Sequence, residues 1–367
     1  MNIYLLLIHF ILMYSVLHII YKSYDSYDVI ESSYYKSNKP RGTLNSVLKK
    51  NNIVYADLKH SKLYIPSNYK TVENELKRLN TNDTPEYIYA IKGCDSIVSK
   101  DNIWKLLVKR YGMKKASTIM PESHVLYSKK DIGLFTSNFN SKANYILKKN
   151  IQRKQGLKLT NNLKDILNSS SDGYKIVQRY IKDVFLVNKR KLNIRIYLLI
   201  VCKNNNIYAY TTSCGKCLYT NKDYDRNVID FESNITSFNT DLSIYDKNPL
   251  TLEEFKKYIE KERNINSKKL FKNINLKLKL LMDAVYPSLC TLKSLKNKTT
   301  FQLFGLDILL TKDLEPYILE ANKGPSMQGK LQKDIEQYVK IQEDVLKTVN
   351  ILPSRKNSFY MIWNKKV

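Results

Sequence analysis

Cysteines, carboxylates and repeats are what this 367-residue sequence has least of, and each shortage excludes a class of protein. The five cysteines, Cys94, Cys202, Cys214, Cys217 and Cys290, are odd in number and scattered, which speaks against a disulfide framework and for a reducing compartment. Only Cys214 and Cys217 have CxxC spacing. With no second pair and no suitable histidine nearby, that spacing does not define a metal or redox site. Asp and Glu total 34 against 61 Lys and Arg, a formal charge of +27. Such a surface attracts polyanions, be they nucleic acid, anionic lipid or acidic protein. None of the recognised nucleic-acid-binding module signatures is present, so nucleic acid is the least favoured of these. No repeat of fixed period occurs. A hydrophobic content of 43% and a charged content of 26% are those of a globular chain with a sizeable core.

From Ile3 to Tyr21 the run IYLLLIHFILMYSVLHIIY lacks Lys, Arg, Asp and Glu. Its length approaches the ~20 residues with which a helix crosses a bilayer. No basic residue precedes it and no small-x-small cleavage site follows, so it reads as a membrane anchor rather than a signal peptide. Lys22, Lys36, Lys39 and Arg41 come after it. That bias predicts a single-pass protein with its bulk in the cytoplasm, at a cell membrane or, for a viral source, in the virion.

Residues 22–43, rich in Ser, Tyr, Lys and Asp without apolar period, suit a flexible tether. Beyond it IVYADLKHSKLYI predicts short strands, and NIWKLLVKRYG a helix closed by Gly112. ANYILKKN and YKIVQRYI read as strands around a helix in LTNNLKDILNSSSDG. LNIRIYLLIVCK pairs with NIYAYTTS through Asn204-Asn205-Asn206. LTLEEFKKYIEKERN and INLKLKLLMDAVYPSL are helical by period, the former with a Thr251/Glu254 capping box. IEQYVKIQEDVLKTV is an amphipathic helix. Strands interleaved with helices predict an α/β or α+β fold.

FQLFGLDILLTKDLEPYILEANKGPSM is the most informative stretch. Two apolar strands joined by a turn at Thr311-Lys312-Asp313 put Asp307 on one face, with Glu320 and Asn322, two residues apart, beside it. Oxygens converging in this way suit a hard cation such as Mg²⁺, held together with substrate phosphates.

FQLFGLD and YILEANKGP resemble the closing motif of the tubulin tyrosine ligase-like family of ATP-grasp carboxylate–amine ligases, with Ala321 replacing a bulkier aliphatic residue. The resemblance implies that Asp307, Glu320 and Asn322 hold Mg²⁺ on ATP phosphates. YILKKNIQRKQGLKL resembles the family's phosphate-covering strand and loop, which implies that Lys148 reaches the α/β-phosphates and that Gly156 admits backbone N–H groups. This loop keeps one glycine where the family commonly has two. KIVQRYI resembles the hinge strand whose backbone bonds adenine, which implies that Gln178, Arg179, Tyr180 and Ile181 form the adenine edge, Arg179 through its backbone only. VNKRKLNIRIYLLI implies nucleotide-facing Lys191 and Arg195, the guanidinium on the γ-phosphate. Asn193 stands where the family has a ribose-binding Asp, which implies weakened nucleotide affinity. Lys216 in SCGKCLYT replaces an active-site Arg. NITSFN resembles a further family segment, with Thr236 kept and Asn234 and Ser237 altered.

The implied protein is a monomeric ATP-grasp enzyme. A lobe at 44–130 precedes a central lobe at 131–182, a carboxyl-terminal lobe at 183–350 and a tail at 351–367. It would add a free amino acid (Tyr, Glu or Gly) to an acidic, tubulin-like tail through an acylphosphate. The alternative is a catalytically impaired relative that tethers tubulin or microtubules to a membrane.

Overall fold

The computed structural model describes Met13 and residues 33–35, 42–79, 84–151, 156–227, 230–236, 241–354 and 356–367. Fourteen strands occur among them: β1 Ser33–Tyr35, β2 Val54–Tyr55, β3 Leu63–Tyr64, β4 Tyr87–Ile88, β5 Ser123–Val125, β6 Tyr145–Lys148, β7 Leu157–Thr160, β8 Ile176–Arg179, β9 Leu186–Val187, β10 Arg190–Lys203, β11 Asn206–Tyr219, β12 Thr299–Leu310, β13 Pro316–Asn322 and β14 Phe359–Lys366.

The large sheet runs β14-β11-β10-β12-β4-β3-β1-β2, with β13 also on β12 and β9 on β10. β10 and β12 read as near-continuous apolar runs because helices cover both faces of the sheet. Leu192, Ile194, Ile196, Leu198 and Ile200 pack into one core with the helices Lys100–Ala116, Leu252–Arg263 and Ser267–Val285. Tyr197, Leu199 and Val201, on the opposite face, pack with Gly42–Lys50 and Gln332–Thr348. Each fully buried Leu, Ile or Phe in these layers contributes about 1.5–3 kcal/mol. β4 joins β12 in parallel, Tyr87 opposite Thr299, and so ties the amino-terminal strands into the carboxyl-terminal sheet.

The β10–β11 turn places Asn204 and Asn205 at φ 50° and 58°, the left-handed region that tight hairpins demand. The Thr251/Glu254 capping box forms in both directions. The helix expected to end at Gly112 kinks there (φ 74°, ψ 163°) and continues to Ala116.

A second sheet, β5-β8-β6-β7, packs on Leu126, Phe135, Leu147, Ile166 and Val177. β5 falls before the expected lobe boundary at residue 131, because its residues pair with β8. Ser33–Tyr35, placed in the tether by composition, is a strand between β2 and β3. The expected tail ends in β14, paired with β11.

The cysteines form one link and no framework. The end of β10 brings Cys202 beside Cys290 as a disulfide, with Cα atoms 6.3 Å apart, while Cys94, Cys214 and Cys217 are free. The membrane-anchored localisation is also corrected, since among the described residues no helix is long and apolar enough to cross a membrane. The Ile3–Tyr21 segment, Met13 apart, lies outside the described residues.

Candidate active site

Strand register draws four charged side chains into one line. Lys216 of β11 stands opposite Arg195 of β10, Arg195 opposite Asp307 of β12, and Asp307 opposite Glu320 of β13. Because facing residues of paired strands project to the same side, all four lie on one face of the sheet. Asn322 sits one step along, opposite Gly305.

Asp307 and Arg195 form a two-pronged pair, Nε to Oδ1 at 2.5 Å and Nη2 to Oδ2 at 3.2 Å. Gly305 makes room for it, since a Cβ there would lie 3.1 Å from Arg195 Cδ and 2.9 Å from Pro325 Cβ. Glu320 takes Lys100 Nζ at 3.4 Å and the Asn322 amide at 3.4 Å. Burial works to raise the Glu320 carboxyl, but Lys100, Lys148 and Arg195 together hold it below its ordinary value. Burial raises the Asp307 carboxyl, and Glu320 adds to this against the opposing pull of Arg195.

A cleft opens between the two sheets. Its lining includes Lys148, Gln178, Arg179, Tyr180, Ile181, Lys191, Asn193, Asp307 and Glu320 among the residues singled out from the sequence. Ile146, Leu157, Leu309 and Leu319 give it apolar walls. Lys148, at the end of β6, is buried and donates to the Leu319 carbonyl at 3.5 Å, and burial pushes its amine down to about 8. Lys191 donates to the Tyr180 hydroxyl at 3.0 Å, and burial, with Lys148 nearby, pushes it down to about 7. Asn193 Nδ2 donates to Thr236 Oγ1 at 2.8 Å, while its buried Oδ1 has no partner among the described residues. Gln178 turns its amide to Ser123 Oγ at 2.9 Å, and the Arg179 side chain is exposed. The backbone N–H groups of Arg179 and Tyr180 are occupied by the carbonyls of Glu122 and Asn144.

Gly156, Arg195, Lys216 and Asn322 do not line the cleft. Gly156 closes the β6–β7 hairpin, its carbonyl accepting from Lys149 N, and a Cβ there would meet Ile151 Cγ1 at 2.6 Å. Arg195 and Asn322 stand behind Asp307 and Glu320. Lys216 is buried and paired with Asp334, which opens the helix Gln332–Thr348.

Three participants escaped the sequence reading. Lys100, buried at the start of its helix, reaches Glu320. A cation in a helix's first turn opposes the helix dipole, and that was the one local signal available. Asn150 clasps the same helix start, accepting from Lys100 N at 3.0 Å and donating to Asp101 at 2.7 Å, which ties the loop after β6 to Lys100. The Tyr180 side chain, given no role of its own by the sequence, bridges Lys191 and Asn234.

Elsewhere among the described residues, Glu73, Cys94 and Asp95 also cluster, but Lys92 and Lys323 neutralise the two carboxylates.

Residues 78–358 match the tubulin-tyrosine ligase family. The chain is 26% identical over 203 residues to "Probable tubulin polyglutamylase TTLL9" of Rattus norvegicus, covering 52% of this chain and 42% of that one. It is 28% identical over 197 residues to "Tubulin polyglutamylase ttll-5" of Caenorhabditis elegans, covering 48% and 26%. With "Tubulin polyglutamylase TTLL6" of Homo sapiens it shares 26% over 193 residues, covering 48% and 21%. The chain thus spans less than half the length of these relatives. A match over most of its length, with the carboxylate hairpin and the basic cleft inside the matched region, means that this chain belongs to the tubulin-tyrosine ligase family.

Proposed function

We propose that this protein is an ATP- and Mg²⁺-dependent ligase that joins free glutamate to a carboxylate of an acidic, tubulin-like protein tail. The observation that carries this reading is the line Arg195–Asp307–Glu320 at the edge of a cleft holding Lys148 and Lys191. The residues fit both groups: converging carboxylates for a hard cation, buried amines for phosphates, apolar walls for a base, and Asn193 Oδ1, without a partner among the described residues, for a ribose hydroxyl. Glutamate is favoured as donor because the relatives' names specify polyglutamylases.

Bound ATP and Mg²⁺ would supply an activated phosphoryl group for the acceptor carboxylate. Asp307, Glu320 and Asn322 would hold the metal, and Lys100, Lys148, Lys191 and Arg195 the phosphates. The chain's contribution is placement and charge in a cleft partly closed to water. The excess of 27 positive charges draws an acidic tail toward it.

The test is incubation of the full chain with tubulin and radiolabelled Glu, Tyr or Gly. ATP-dependent Glu incorporation supports the proposal. Incorporation of Tyr or Gly instead keeps the ligase and changes its donor. No incorporation with tubulin binding intact favours the catalytically impaired binder.

Two further results are expected at the nucleotide wall. Asn193→Asp should tighten binding of a non-hydrolysable ATP analogue about tenfold, because a carboxylate accepts from both Thr236 and the ribose and faces two lysines. Calorimetry showing unchanged or weaker binding would mean that residue 193 does not face the sugar.

The second result concerns protons. With its amine near 7 in the folded protein, Lys191 is largely neutral at pH 8. A phosphate beside it favours the charged form, so analogue binding at pH 8 should take up close to one proton at Lys191, with a smaller share at Lys148, whose amine lies near 8, and much less below pH 6. Binding enthalpies in buffers of different ionisation heat measure that uptake, and Lys191→Met should remove the larger part of it. The same depression means that the unfolded chain holds the extra proton between pH 7 and 10.5. Lys191 therefore favours the folded state increasingly as pH rises through that window.

A further inference from the structure

In this structure the oxygens assigned to the metal are already matched by cations of the chain itself. Both oxygens of Asp307 are engaged by Arg195, at 2.5 and 3.2 Å. One oxygen of Glu320 faces Lys100 at 3.4 Å and the other takes the Asn322 amide at 3.4 Å. The Arg195 and Asp307 side chains are 14% and 12% exposed, so water offers little competition for their pairing. Gly305 leaves space across which Arg195 folds back onto Asp307. A planar guanidinium gripping both carboxylate oxygens is among the stronger pairings a side chain makes.

We propose, resting on the ligase reading above, that Arg195 acts as an internal counter-cation which keeps the oxygen site shut to a lone divalent ion, and that nucleotide phosphates draw it off Asp307 to open the site. Metal and nucleotide then bind cooperatively, and the empty protein holds neither tightly. A divalent ion arriving alone meets Arg195, Lys100 and Lys148 within one small volume and must displace a two-pronged ion pair. A nucleotide brings the negative charge that turns Arg195 outward, so the same movement frees Asp307 and puts the guanidinium on phosphate. Linkage makes the effect reciprocal, with metal tightening nucleotide by the factor by which nucleotide tightens metal.

The experiment titrates Mn²⁺ into the full chain and follows bound ion by its paramagnetic effect on water protons, with and without a non-hydrolysable ATP analogue. Wild type should bind Mn²⁺ at least about tenfold more tightly with the analogue present. Arg195→Gln should bind Mn²⁺ alone about tenfold more tightly than wild type, and its coupling should shrink below about threefold. Arg195→Lys keeps the charge, loses the two-pronged grip and protects against misfolding through an uncompensated Asp307, and it should fall between the two. Equal Mn²⁺ affinity with and without analogue in wild type overturns the proposal. So does lone-metal affinity unchanged in both variants. Failure of wild type to bind the analogue at all overturns the nucleotide site together with the latch, and that result is separable because the other two presuppose analogue binding.

Discussion

Glu320→Gln should lower glutamate incorporation into an acidic acceptor at least about 100-fold while leaving the protein folded. The substitution is isosteric, and the amide can still meet Asn322 and lie opposite Asp307. What changes is charge. Lys100, Lys148 and Arg195 surround two carboxylates in the native site and would surround one in the variant. That surplus removes the best-placed anionic ligand for a divalent ion and leaves three cations repelling it. Initial rates of labelled incorporation, measured beside a thermal melt, separate a chemical defect from an unfolded one. Incorporation within about threefold of wild type, at unchanged melting temperature, would remove Glu320 from the mechanism.

Asp334→Leu should destabilise the protein by about 3–5 kcal/mol, the usual cost of leaving one partner of a buried ion pair alone. Lys216 and Asp334 side chains are 8% and 1% exposed, and the pair lies between β11 and the first turn of Gln332–Thr348. The lone ammonium would have little beyond the face of Tyr245, 5.3 Å from it. The double variant Lys216→Met/Asp334→Leu should regain most of the loss, since apolar replacement of a whole buried pair is often nearly neutral. Urea unfolding of the single and double variants makes the comparison. A double variant as unstable as the single would show that Asp334 matters for something other than Lys216.

The line of carboxylates was legible in the sequence because two-residue alternation and a short turn are local properties. Given FGLDILL and YILEAN, the face shared by Asp307, Glu320 and Asn322 follows from the pleat alone. Lys100 was not legible, since nothing near it in the chain announces that a helix start will meet β13. Lys216 was read as a site residue because SCGKCLYT stands in the place of a family segment with an active-site Arg. Its partner in the structure, Asp334, lies 118 positions away on a helix whose docking no local pattern specifies. Tyr180 was read as part of the adenine edge, and only the fold shows its hydroxyl between Lys191 and Asn234. β14 is a different kind of miss. FYMIWNKK has the aromatic and β-branched content of a strand, and its position at the chain's end concealed it. It also lies beyond the matched family region, which ends at residue 358.

The parallel pairing of β4 with β12 sets the order in which this protein can be completed on the ribosome. Tyr87 emerges long before Thr299, its partner in the sheet, has been synthesised. Until then β4 offers an open hydrogen-bonding edge, and Leu63, Tyr64 and Ile88 lack the core that covers them in the finished molecule. Nascent chains stalled before residue 299 should therefore be far more susceptible to protease and more dependent on chaperones than the released protein, because the β4 edge and the apolar side chains of the amino-terminal strands stay uncovered until β12 arrives.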